Sequence, residues 1–266
     1  MASRREAHGI CHICGKEGKL SFEHVPPRNA YNTKPVVSHN FEQAIRLMNG
    51  ENCKGTLLQK GSGKHTLCPK CNNNTGGWYG SCFVDWSFAG MKLLLESQGH
   101  LSGTHVFRLR PLPVLKQIAA MMFSVNAAYF QAKHPSLVNF VLNKERAHLS
   151  PEYRFFVYFS ITEVYRMCGQ SIQGRFSDDF SRVKTFDLSE ISFVPFGYIM
   201  THKSDPPENR LCEITLFANF AYNEYKELAL NIPLLPVYSI YPGDYRVPDQ
   251  IREDWAKGLA AQRHMS

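Results

Sequence analysis

No stretch of this chain approaches the roughly 18 consecutive apolar residues that a membrane span needs, and a spanning helix is therefore not expected. Residues 1–10 are polar and lack an apolar h-region, which argues against a secretory leader and for a cytoplasmic protein. There is no internal repeat and no low-complexity tract, which sets aside a repeat array and a biased, unstructured segment. A phosphate-binding loop is also missing. In Gly61-Ser62-Gly63-Lys64 the upstream glycine of that motif is Leu58, and His65 follows the lysine where Ser or Thr is required. The four residues read instead as a turn into a strand at Lys64–Leu67. Acidic residues are scarce at one end only. Residues 1–80 hold 11 Lys/Arg and 5 acidic residues, a formal +6, whereas residues 81–266 hold 19 and 18, a formal +1.

What is present begins with cysteine spacing. Cys11-His12-Ile13-Cys14 and Cys68-Pro69-Lys70-Cys71 are two C-x-x-C pairs. Two intervening residues let one tight turn offer both sulfurs to a tetrahedral ion, and two such turns close a structural zinc site. No βαβ pattern surrounds either pair, so metal fits better than a redox couple. With four of eight cysteines committed in this way, a reducing compartment is expected rather than a disulfide framework. Cys53, Cys82, Cys168 and Cys212 are then expected to be small buried apolar residues.

Between the pairs stands Glu23-His24-Val25-Pro26-Pro27. A positioned imidazole can take a proton from water near neutrality, and a neighbouring carboxylate can hold a hard divalent ion. The prolines stiffen the exit from the strand. Asn72, directly after the last cysteine, would begin the helix that starts there. It reads equally as a neutral metal ligand or as an N-cap.

Taken in order, Cys-x-x-Cys, Glu-His-Val-x-Pro and Cys-x-x-Cys-Asn resemble the HNH, or ββα-metal, endonuclease superfamily, in particular its four-Cys zinc members of the endonuclease VII type. The resemblance covers about a quarter of the chain. It implies a treble-clef module with structural zinc on Cys11, Cys14, Cys68 and Cys71. It further implies His24 as the base that activates water, and Glu23 with Asn72 as ligands of a catalytic Mg²⁺ or Mn²⁺. There are three departures. The acidic residue is Glu where Asp is common. The middle Asn that braces the family's hairpin is replaced at about its place by Gly63, leaving Asn49 and Asn52 as candidates. The segment from Arg28 to Gly63 is also long, and must carry structure of its own. Within it, Asn40 caps a short helix through Phe41, Ile45 and Met48, and His39 and His65 could reach the site.

The fold expected is α+β. Residues 1–98 form the zinc-stapled module with its long helix, and residues 99–266 a second unit of unassigned role. That unit has helices over 114–146, an antiparallel sheet over 153–230 and a C-terminal extension. Val114, Ile118, Met121 or Met122, Val125 and Tyr129 fall on one helical face. Phe155, Val157, Phe159 and Ile161 alternate as a strand. Val164–Cys168, Ser189–His202 and Leu211–Tyr222 also read as strands, and Ile251–Gln262 as a terminal helix. No second catalytic constellation emerges after residue 100, since Asp178-Asp179 has no ligand-spaced His or Cys nearby.

The function this supports is phosphodiester hydrolysis in nucleic acid, DNA favoured, with Arg28, Lys64 and Lys70 contacting phosphates. A homodimer would suit a double-strand cut. The alternatives are a zinc-dependent module that binds nucleic acid without cutting it, and a purely structural or protein-interaction role.

Overall fold

A computed structural model describes residues 6–161, 164–176 and 181–265. In chain order, the strands β1 (His8–Ile10), β2 (Glu17–Lys19), β3 (Ser21–His24) and β4 (Val36–Ser38) precede helix α1 (Phe41–Met48). Then follow β5 (Thr56–Leu58), β6 (Gly63–Leu67), α2 (Pro69–Glu96), β7 (His105–Leu109), α3 (Pro111–Val125), α4 (Phe130–Lys133) and α5 (Pro135–Leu142). The rest comprises β8 (Tyr153–Phe159), β9 (Arg166–Phe176), β10 (Val183–Phe193), β11 (Phe196–His202), β12 (Cys212–Glu213), a short 3₁₀ turn at Thr215–Asn219, β13 (Lys226–Leu230) and α6 (Pro248–Met265). The fold is mixed α/β and all its strand pairs between named strands are antiparallel.

The hydrophobic centre is α3. All its residues but the last are buried, as befits a helix that is apolar all round. One lysine breaks that pattern, and it has a use. Lys116 is fully buried, and its Nζ donates to the carbonyls of Phe140 (2.6 Å) and Asn143 (2.5 Å), the open acceptors at the C-terminal end of α5. Burial pushes its pKa down to about 7, with Arg146 acting in the same direction.

Against α3 lies α2, a single unbroken helix of 28 residues opened by Pro69 at its first turn. Cys71, Thr75, Tyr79, Cys82, Phe83, Trp86, Gly90 and Leu94 form its buried stripe at helical spacing. Trp86 stacks on Phe196 of β11 (4.7 Å between ring centroids) and donates its indole N–H to Tyr198 Oη at 3.0 Å. Gly90 lets the two elements meet, since a Cβ there would lie 2.2 Å from the Phe196 ring.

The main sheet runs β12-β8-β11-β10-β9. Its far face is closed by the segment after β13, which carries Leu235, Val237 and Tyr245 onto Phe156, Tyr158, Phe186 and Leu188. A buried ion pair holds that segment down. Arg166 Nη2 meets Glu190 Oε1 at 2.8 Å, and Arg166 Nη1 donates to the carbonyls of Tyr241 (2.6 Å) and Asp244 (3.0 Å). Glu190 also accepts from Tyr158, Tyr245 and the backbone N–H of Gly243. Most of the pair's remaining donors and acceptors are met in this way, as burial of charge requires, while Arg166 Nε is buried without a partner among the described residues.

Several expectations change here. Ser189–His202 is two strands of a hairpin, turning at Val194-Pro195. Leu211–Tyr222 is a two-residue strand followed by the 3₁₀ turn. The strand expected at Val164–Cys168 runs on to Phe176. Asp178-Asp179 and Thr162 lie outside the described residues. All eight cysteines are free, and of the four outside the C-x-x-C pairs only Cys82 is fully buried.

Candidate functional site

The first C-x-x-C turn joins β1 to β2. Cys11 N donates to Lys16 O, Gly15 N donates to Cys11 O, and Gly15 takes φ +71°, where glycine has no steric penalty. His12 fastens this turn to its surroundings, its N–H to Thr66 O and its ring Nδ1 to Phe123 O at 3.2 Å. The second turn ends β6 and opens α2. The two turns bring the Sγ atoms of Cys11, Cys14, Cys68 and Cys71 within 4.8 Å of one another. A tetrahedral ion with bonds of about 2.3 Å sets sulfur–sulfur separations of roughly 3.8 Å, and Cys14 and Cys68 stand at 3.9 Å. These four residues fit zinc. The Cys71 thiol donates to Cys11, which with the backbone N–H groups of Cys14, Cys68 and Ile13 pulls the Cys11 thiol down to about 4, against the upward pull of burial. The proximity of that thiolate and burial push Cys71 up, and burial pushes Cys14 up.

The cluster fixes the geometry of β3, β6 and the first turn of α2. β3 and β6 pair with His24 opposite Gly63, Glu23 opposite Lys64 and Phe22 opposite His65, with a bulge at Ser21/Phe22. Successive strand residues face opposite ways, and the two halves of the Glu-His dipeptide separate accordingly. Glu23 turns inward and is 5% exposed. It accepts hydrogen bonds from Ser124 at the end of α3 and from Thr66. Desolvation raises its pKa to about 8, more than these two bonds lower it, so the carboxyl is protonated at neutral pH. His24 turns outward. Its ring Nε2 lies 3.1 Å from Lys60 O. A carbonyl can only accept, so Nε2 carries the proton and Nδ1 is left with its lone pair.

Asn72 lies one turn inside α2. Its side-chain N–H₂ donates to Ser21 Oγ (3.0 Å) and Phe22 O (3.2 Å), clamping helix to strand. The N-cap of α2 is Cys68, so the capping reading of Asn72 does not hold. Glu23 faces α3 and the Asn72 N–H₂ is spent on β3, so the carboxyl is turned away from the outward face where His24 stands. Among the described residues the four-Cys cluster is the one group of three or more His, Cys, Asp or Glu able to hold a metal.

A residue that spacing did not reveal holds the loop behind His24. Asn32 is 1% exposed. Its amide donates to Pro26 O (2.6 Å) and Ser62 O (2.8 Å), and its Oδ1 accepts from Ser62 N (2.7 Å). It therefore ties the turn after His24 to the loop that carries Lys60. The glycines around Ser62 make room for this contact. A Cβ at Gly61 would lie 2.3 Å from Asn32 O, and one at Gly63 would lie 2.2 Å from Glu23 O. Asn49 and Asn52 take no such part: Asn49 caps the end of α1, and both are exposed. The only sequence signal for Asn32 was its place soon after Pro26-Pro27.

The long segment between β3 and β6 does carry its own structure. Asn40 and Gln43 form a reciprocal capping box for α1, and β4 pairs with β5. Yet residues 33–60 contain no buried residue. His39 packs against Gly55 of this arm and not at the site, whereas His65 shares the face of His24. Arg28, Lys64 and Lys70 are exposed and have no ion pair among the described residues, although Lys64, opposite Glu23, leaves the strand on the other side from His65. By contrast, the cations of the sheet region are largely spent: Arg154 on Glu213, Lys184 on Asp205, Lys203 on Glu152, Arg210 on Glu208 and Arg246 on Asp244.

No protein-family model, no curated protein and no solved structure matches this chain. Among the described residues no helix is long and apolar enough to cross a membrane.

Proposed function

We propose that this protein is a zinc-stapled endonuclease of the HNH, or ββα, type, built as a treble clef and cutting nucleic acid at the outward face of the β3–β6 pair. The observation that carries the reading is the hydrogen bond from His24 Nε2 to Lys60 O. It leaves the unprotonated Nδ1 of an outward-facing imidazole free to take a proton from water. Asn32 holds the acceptor loop, and Asn72 holds the strand against α2, so the ring keeps its aim. Water activated by His24 attacks phosphorus in line and the 3′ oxygen leaves. Exposed cations, Arg28 and Lys70 among them, meet the charge of the phosphate backbone.

The divalent ion implied by the family does not fit the residues as they stand, because Glu23 is buried on Ser124. No step is routed through it. That same burial favours the second reading, a module that binds nucleic acid without cutting. Incubating the protein with plasmid, linear duplex and single-stranded substrates in Mg²⁺, Mn²⁺ or EDTA separates the two. The nuclease reading expects cutting by wild type that His24→Ala abolishes while its zinc content and melting temperature are retained. Equal cutting by the variant removes His24 from the mechanism. Salt-sensitive binding by both without any cutting establishes the binding module.

A further inference from the structure

The outward face of the β3–β6 pair carries one large apolar side chain. Phe22 is 37% exposed and covers no part of the buried core. It is nevertheless held in place. The His24 ring meets it at 4.9 Å and 78°, and the His65 ring at 5.3 Å and 77°, one neighbour along the strand and the other across it. Beneath it Gly63 is a necessity, because a Cβ at that position would fall 2.7 Å from Phe22 Cε1 and 2.8 Å from Cζ. A bare glycine thus makes the space in which the aromatic ring lies beside the candidate base. The ring lies over Gly63 on one side and offers a preorganised flat surface to solvent on the other.

Its surroundings restrict what it can bind. One neighbour is the candidate base and the other, His65, is an imidazole able to donate to a phosphate, and the module around them holds 11 Lys/Arg against 5 acidic residues over residues 1–80. A polyanion with flat rings satisfies both features. Within a duplex the base faces are already stacked on one another, so a single protein ring gains that contact only with an unpaired base. We propose that Phe22 is a stacking platform for an unpaired base adjacent to the phosphate addressed by His24, and that His65 contacts the neighbouring phosphate. The preferred ligand is then single-stranded or locally unpaired nucleic acid. This inference rests on the nuclease reading and specifies its substrate.

The test reads binding, so it does not depend on cleavage. In a His24→Ala background, oligonucleotides with one 2-aminopurine are titrated as single strands and as duplexes with Phe22, with Phe22→Leu and with His65→Ala. Leucine keeps the apolar bulk over Gly63 and removes the π face, and melting curves confirm that each variant is folded. The expected result is quenching of the single strand by the parent and roughly tenfold or greater loss of single-strand affinity in Phe22→Leu. Duplex affinity stays unchanged, and His65→Ala gives a smaller single-strand loss. Undiminished single-strand binding by Phe22→Leu, or an equal loss for both substrates, overturns the platform. If the parent binds and the His24 form cuts while Phe22→Leu behaves like the parent, only this inference falls. If the protein with His24 intact neither binds nor cuts either substrate, the nuclease reading falls with it.

Discussion

Burial away from water favours the protonated form of a carboxyl group, and at Glu23 desolvation outweighs the two hydrogen bonds that would lower its pKa. The consequence is thermodynamic. Its folded pKa is raised to about 8, so between the ordinary carboxylate value and pH 8 the folded state binds the extra proton. Stability therefore falls as pH rises through that window, by on the order of a few kcal/mol. Glu23→Gln removes the titration. The difference in unfolding free energy between variant and wild type, measured in urea, should grow in the variant's favour from pH 5 to pH 8. A difference that stays constant across that range would show Glu23 to be ionised in the fold. The Glu-His dipeptide was legible in the sequence as a pair of chemical groups. Their opposite directions were not, because reading them together ignored the two-residue period of the strand that carries them. Asn32 escaped for another reason: a side chain that bonds only to backbone leaves no spacing to recognise.

At the scale of elements, periodicity served best where the apolar residues keep to one face. Helix α1, with its Asn40 cap, was legible to the residue. The hairpin from β10 to β11 was not, because its strands are buried on both faces and a continuous apolar run hides the turn at Val194-Pro195. Helix α2 shows how little local propensity decides. Gly76, Gly77 and Gly80 lie inside an unbroken helix, and a Cβ at any of them meets nothing within 4 Å. Tertiary packing of the stripe from Cys71 to Leu94 offsets their cost. Gly80→Ala should accordingly stabilise the protein by about 0.5–1 kcal/mol, seen as a higher urea midpoint. Gly90→Ala should destabilise it, because that Cβ has the Phe196 ring at 2.2 Å. Equal effects at the two positions would mean that α2 does not pack on β11 as described.

For the whole molecule, the apolar core runs across the division expected at residue 98, just past the end of α2. Cys11, Ile13 and Leu67 belong to one cluster with Val114, Phe123, Phe196 and Tyr198. The metal cluster is therefore tied to the sheet by way of α2 and α3. Zinc bound only by the folded state adds its binding free energy to stability. Stripping it with a chelator at neutral pH should lower the melting temperature of the entire chain in one calorimetric transition. Two separate transitions, with the later one unmoved, would mean that the N-terminal part unfolds alone.

The clamp on Glu190 has a bearing on synthesis. Its partners Gly243 and Tyr245, like the carbonyls that satisfy Arg166, are translated long after the strands they seal. A nascent sheet lacking them holds an ion pair whose remaining hydrogen bonds are not yet made, and β11 is the surface on which Trp86 of α2 must settle. An unfinished polypeptide on the ribosome thus lacks a settled bed for α2.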